Sequence, residues 1–149
     1  MYKRQTLSTF GPGRIWVEDE ANNIGGVRLP KPFSQQVRTS AVVVLDVPVA
    51  TRVEHLVEIY GDESPDRLAS SFEKIQKRLG PARARDALEA LKVGDLSTAV
   101  TIALAYYDKA YDYGLSKREN TSIHHLNLPS RDDVVCAKTL IRFVEKEFV

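Results

Sequence analysis

Few stretches leave a chain as little choice as Ala41-Val42-Val43-Val44-Leu45-Asp46-Val47-Pro48. Its apolar, mostly β-branched run lacks the in–out alternation of a half-wet strand. That is the pattern of a strand covered on both faces, as in parallel sheets flanked by helices. Pro48 cannot continue the ladder. Thr51 to Tyr60 then sets Val53, Leu56, Val57 and Tyr60 on one helical stripe. A strand, a short turn and an amphipathic helix make a βα unit, which predicts an α/β protein. Arg52, early in that helix, is placed either to meet an anion or to pair with Glu54 or another acid.

A second strand is expected upstream. Ile15-Trp16-Val17 is a short apolar run between Gly11-Pro12-Gly13 and Gly25-Gly26, and it ends in Glu18-Asp19-Glu20. Ligands collect at the carboxyl ends of parallel strands. Acids there suit a Mg²⁺–phosphate ligand; otherwise they form a solvated loop. Val27 to Pro30 reads as extended, and Lys31 to Thr39 as a short helix with Pro32 in its first turn.

From Gly61 to Gly114 the chain reads as three successive helices. Ser64-Pro65 opens the first, whose stripe of Leu68, Phe72, Ile75 and Leu79 stops at Gly80. Pro81 opens the second, with Ala84, Ala87, Leu88 and Leu91 inward and an end near Gly94. Asp95 caps the third, where Leu96, Val100, Ala103, Leu104 and Tyr107 keep helical spacing. Lys74, Lys77, Arg78, Arg83 and Arg85 straddle the Gly80-Pro81 turn, forming either an RNA-phosphate patch or a solvated face. Tyr106, Tyr107, Asp108, Tyr111 and Tyr113 follow, with Tyr107 and Tyr111 on one face. They either stack on a ligand or pack the helix.

The last third returns to α/β, with a strand at Ser122–Leu126 and a closing helix at Val134–Phe148. Ser130 is the expected cap of that helix, Asp132-Asp133 complement its N-terminus, and Val135, Leu140, Phe143 and Val144 face inward. Adjacent His124 and His125 point to opposite faces of the strand, and His55 and Cys136 stand elsewhere, so no metal site is expected. Cys136, the only cysteine, excludes an internal disulfide and fits a reducing cytosol. The 149 residues suit one domain, and a net charge of +1 leaves room only for a local basic patch. No run reaches the roughly 20 apolar residues that span a bilayer. Met1 to Gln5 lacks the apolar core of a signal peptide and reads as the edge of a longer protein.

In order and spacing, several of these segments resemble the C-terminal part of the tRNA 2-selenouridine synthase family. They are Trp16-Val17-Glu18-Asp19-Glu20 with Ile24-Gly25, then Leu29-Pro30, the βα unit from Val42 to Arg52, Arg78-Leu79-Gly80, and Tyr106-Tyr107-Asp108 with Tyr111. The family joins a rhodanese-like domain, which carries a catalytic cysteine, to a P-loop domain. The resemblance implies modification of wobble 2-thiouridine in tRNA: geranylation with geranyl diphosphate, then selenation with selenophosphate.

The chain departs from the family pattern. It has no Gly-x-x-x-x-Gly-Lys-Ser/Thr loop and no rhodanese domain, Asn22 stands where arginine is usual, and Lys109 where proline is usual. The expectation is a distal portion of a P-loop NTPase-like domain, with a partial parallel sheet at 14–60, a helical insertion at 61–114 and a closing strand and helix at 121–149. Glu18, Glu20, Arg28 and Arg52 are then the candidates for substrate or phosphate binding. Lys77, Arg78, Arg83, Tyr106, Tyr107, Asp108 and Tyr111 are the candidates for tRNA or prenyl contact. This chain itself would bind no cofactor or metal and would carry no catalytic residue. A standalone RNA-binding or adaptor module and a P-loop kinase-like fragment are the rival readings.

Overall fold

The computed structural model describes residues 15–19, 23–24, 27–119, 121–128 and 132–148. The chain divides into two compact units, Met1–Ser40 and Ala41–Val149.

In the first unit, β1 (Asn23–Ile24) pairs antiparallel with β2 (Val27–Arg28), and α1 (Lys31–Thr39) follows with proline in its first turn. The Gly25-Gly26 turn lies outside the described residues. The expected strand at Ile15–Val17 does not form: residues 15–19 carry no regular structure, and Ile15, Trp16 and Val17 are 46%, 56% and 46% exposed. A strand exists only through its ladder, and no described strand pairs with this run.

In the second unit, β3 (Val42–Asp46) pairs in parallel with β4 (Ile123–Asn127), in a register of Val42 with Ile123 and Asp46 with Asn127. Two loop bonds extend the ladder: Val42 N–H donates to the Ser122 carbonyl, and Leu128 N–H to that of Asp46, both at 2.9 Å. Between the strands run α2 (Val49–Tyr60), α3 (Pro65–Leu79), α4 (Pro81–Lys92) and α5 (Leu96–Ser116), and α6 (Asp133–Glu147) follows β4. The molecule is therefore α/β, mostly helical, with a small parallel sheet. β3 is not covered on both faces as expected. Val42 to Val44 are half-buried and Leu45 is exposed, because the apolar clusters form among the helices and contain no strand residue.

Local chemistry sets the helix ends. The Ser64 side chain accepts from Arg67 N–H at the start of α3, and Asp95 accepts from Thr98 N–H (2.9 Å) and Thr98 Oγ1–H (2.6 Å) at the start of α5. Gly94, at φ +78°, closes α4: its N–H donates to the Leu91 carbonyl, and Asp95 N–H to that of Ala90, the paired bonds of a Schellman motif. The cap of α6 is Asp132, whose Oδ1 accepts from Val134 and Val135 N–H at 2.9 and 3.0 Å. Ser130 lies outside the described residues.

Packing of α3, α4 and α5 rests on small side chains. Ala84, Ala87 and Ala99 have no exposed surface, so the helices approach closely around Phe72, Leu79 and Leu91. A second cluster joins α5 to α2 through Val53, Val100 and Leu104. On α6, Val144 is buried and Leu140 and Phe143 half-buried, but Val135, expected inward, is exposed.

Candidate functional site

Two features of the second unit bring chemistry-bearing side chains together. Arg52 stands in the first turn of α2, and Asp108 in the long helix α5 that packs against it. Arg52 Nη1 donates to Asp108 Oδ1 at 2.6 Å, and Nη2 to Oδ2 at 2.9 Å. This is a two-pronged guanidinium–carboxylate clamp. The Asp108 carboxyl is held below its ordinary value, chiefly by the hydrogen bond from Arg52, with burial opposing and charge attraction assisting. The Arg52 guanidinium is correspondingly raised by the same bond. Of the alternatives for Arg52, the structure adopts the ion pair, with Asp108 rather than Glu54.

The second feature is Asp46, the last residue of β3, whose Oδ2 lies 2.9 Å from His125 Nδ1 on β4. His124, one residue earlier, points to the opposite face, where its ring meets Phe143 and Phe148 at centroid distances of 6.1 and 4.7 Å. The two histidines thus diverge as expected. No group of three or more His, Cys, Asp or Glu side chains is disposed to hold a metal ion among the described residues. A shallow groove lined by His55, Glu58, Ile59 and Asp132 lies in the same unit.

The remaining candidates fall as follows. Lys74, Lys77, Arg78, Arg83 and Arg85 are all exposed around the α3–α4 turn, which Gly80 makes at φ +92°. Arg85 has Asp86 3.7 Å away. Tyr106 packs on the three-helix core, with its ring 5.0 Å from that of Tyr107. Tyr107 and Tyr111 are exposed, and Tyr113 is exposed beneath Lys117 Nζ, 5.1 Å from its ring centre. The spacing predicts Tyr107 inward with Leu104; Tyr106 takes that role instead. Lys109 does not end the helix, which continues to Ser116. In the first unit, Glu18 is exposed in irregular chain and Arg28 is exposed on β2. Glu20 lies outside the described residues.

Sequence reasoning missed the Asp46–His125 pair. Its only signal is an acid at the end of the apolar strand and a histidine in the second strand, and these become partners only once the parallel register is known.

The parallel pair, with a helical bundle carried in its crossover, defines an α/β protein, and no described helix is long and apolar enough to cross a membrane. The chain belongs to the tRNA 2-selenouridine synthase family: the model of that family's AAA domain matches residues 2–135. It is 31% identical over 139 residues to the tRNA 2-selenouridine synthase of Proteus mirabilis, covering 73% of this chain and 38% of that protein. It is also 31% identical over 143 residues to the tRNA 2-selenouridine synthase of Shewanella loihica, covering 75% of this chain and 38% of that protein. The chain thus spans well under half the length of these curated relatives. No solved structure matches it. The resemblance drawn from the strand-end, arginine and tyrosine motifs is borne out.

Proposed function

We propose that this chain is the distal part of the P-loop-like domain of a tRNA 2-selenouridine synthase, and that it supplies tRNA- and substrate-binding surface. The parent enzyme is a cytoplasmic transferase acting on wobble 2-thiouridine in tRNA, with geranyl diphosphate and then selenophosphate as co-substrates. A rhodanese-like domain and a phosphate loop complete it. The reacting groups belong to the whole enzyme, and this chain positions the nucleic acid.

The observation that carries this reading is the α3–α4 turn. Lys77, Arg78 and Arg83 stand exposed on two helices held together by a buried core, so the charges are presented from a rigid support. Phosphate contacts by lysine and arginine release counterions and give salt-sensitive affinity. Exposed Tyr107 and Tyr111, one turn apart on α5, add faces on which unstacked bases or a prenyl chain can rest.

The test is binding of the purified chain to wobble-thiolated tRNA and to unmodified tRNA at two salt concentrations. The expected result is selective, salt-sensitive binding, with the Lys77→Gln/Arg83→Gln variant lowering the slope of log K against log salt by about 2, roughly 1 per lost phosphate contact. A folded chain that binds neither tRNA, or a slope unchanged in the variant, removes the reading.

A further inference from the structure

The face of α5 that packs on α2 outruns its partner. Val100 and Leu104 share a buried cluster with Val53, and the same four-then-three spacing continues through Tyr107, Tyr111 and Gly114. Arg52, in the first turn of α2, meets Asp108, while Val53 meets the earlier Val100 and Leu104, so the two helices run antiparallel. Tyr111 and Gly114 therefore lie past the start of α2. Tyr107 is 44% exposed and Tyr111 56%.

Gly114 has neither of the usual structural reasons to be glycine. Its φ is not positive, and it stands within the helix. Among the described residues, no atom lies within 4 Å of where its Cβ would be, yet the residue is half-buried. Alanine would be the better helix former there. The missing side chain thus leaves a sheltered hollow one turn beyond the Tyr111 ring.

Charge indicates what fills it. After a short connection α4 runs back along α5, and its 12 residues span about 18 Å. The α3–α4 turn therefore comes level with the middle of α5, where the tyrosines begin. Exposed Lys77, Arg78 and Arg83 stand at that turn, and none has an ion-pair partner among the described residues. Aromatic faces beside unpaired cations suit a ligand with a flat ring and a phosphate. A prenyl chain fits less well, because apolar ligands are held in pockets that bury most of their surface.

We infer that Tyr107, Tyr111 and the hollow at Gly114 form a slot for an unpaired RNA base, stacked on the tyrosines and seated over the glycine. The inference deepens the proposed function, on which it rests for RNA as the partner, and it makes the recognised element single-stranded.

The experiment titrates the full chain with a short single-stranded RNA carrying 2-aminopurine, and with the same strand in a duplex, at two salt concentrations. The wild type should prefer the single strand and quench the probe's emission by stacking. Stacking of one base on one aromatic ring is worth about fivefold to a hundredfold in affinity. Tyr107→Leu, Tyr111→Leu and Gly114→Leu should each weaken single-strand binding at least fivefold and leave the salt slope unchanged. Tyr60→Leu, which alters an equally exposed tyrosine at the far end of α2, should bind as the wild type does. Gly114→Leu should unfold at an equal or higher urea concentration, so lost binding there is not lost folding.

A wild type that binds no single strand, binds it without quenching, or releases it to geraniol overturns the inference. So does a folded Gly114→Leu chain that binds unchanged. The two readings fail separately. A salt slope unmoved by Lys77→Gln/Arg83→Gln, with Gly114→Leu still weakening the single strand, removes the phosphate reading and leaves the slot. A slope that falls as expected, with Gly114→Leu binding unchanged, removes the slot alone.

Discussion

The clamp between Arg52 and Asp108 yields a stability prediction whose size follows from its geometry. An exposed ion pair contributes about 0.2–1 kcal/mol, and a hydrogen bond to a charged group about 1.5–3 kcal/mol. This pair is two-pronged, but its side chains are 31% and 39% exposed, so solvent screening trims the upper figure. A double-mutant cycle over Arg52→Ala and Asp108→Ala should therefore give a coupling of about 1–2 kcal/mol at neutral pH. Each single variant should cost more than half of that. Removing Asp108 strands a guanidinium whose Nε is already buried without a hydrogen-bond partner, and removing Arg52 also strips its alkyl stem from the α2–α5 contact.

The pH dependence of the same pair has a definite sign. The folded Asp108 carboxyl titrates below its unfolded value, which is near 3.9. Its contribution is then complete above the unfolded value and is lost as pH falls through the folded one. The stability gap between wild type and Asp108→Asn should stay level from about pH 5 to pH 8 and narrow below about pH 4, where protonated aspartate and asparagine become alike. Asp95 also titrates below its ordinary value through its bonds from Thr98, but it is common to both proteins and cancels in the difference. Urea unfolding followed by helical circular dichroism measures both quantities. A coupling below about 0.3 kcal/mol, or a gap that does not close in acid, refutes the reasoning.

Two further outcomes are expected. Gly94→Ala, at φ +78° with open space where the new methyl would sit, should destabilise by about 1–2 kcal/mol through backbone strain alone, read from the same urea midpoints. Asp108→Asn should weaken tRNA binding several-fold, because loss of the clamp loosens the helix that carries Tyr107 and Tyr111; tighter binding in a filter or fluorescence assay would instead place the released Arg52 among the phosphate ligands.

How much of this is legible in the sequence depends on the range of the interaction responsible. Helix ends written into adjacent residues are readable: Ser64 before Pro65, the glycines at 80 and 94, and Asp95 before α5 all act where expected. The phase of α5 is not. Its spacing suggests a single inward stripe through Val100, Leu104 and Tyr107, but the helix serves two clusters, Ala99, Ile102, Ala103 and Tyr106 facing one and Val100 and Leu104 the other. A helix buried over so wide an arc gives no unique periodicity. The ion pairs are illegible for a different reason. Arg52 and Asp108 are 56 residues apart, Asp46 and His125 are 79 apart, and 20 acidic residues offer partners. The strand at Ile15–Val17 fails because an apolar run fixes a preference for burial but not the neighbour that satisfies it.

The clamp also bears on what the tyrosine helix can do. α5 is fixed from two sides, by the alanine-lined packing against α4 and by Val53 with the Arg52–Asp108 pair on α2. A helix held on two sides has little freedom to roll, so the direction in which Tyr107 and Tyr111 point is set by the fold rather than by what they touch. Rigid aromatic faces lose little entropy on binding, which under the proposed function would suit stacking on a base held near the lysines and arginines of the α3–α4 turn. Any ligand that recruited Arg52 directly would first have to replace Asp108, at a cost equal to the coupling of about 1–2 kcal/mol, and would loosen the helix that carries the tyrosines. Anchoring the platform and binding phosphate are therefore competing uses of one guanidinium, and in the ligand-free structure both of its bonds go to Asp108.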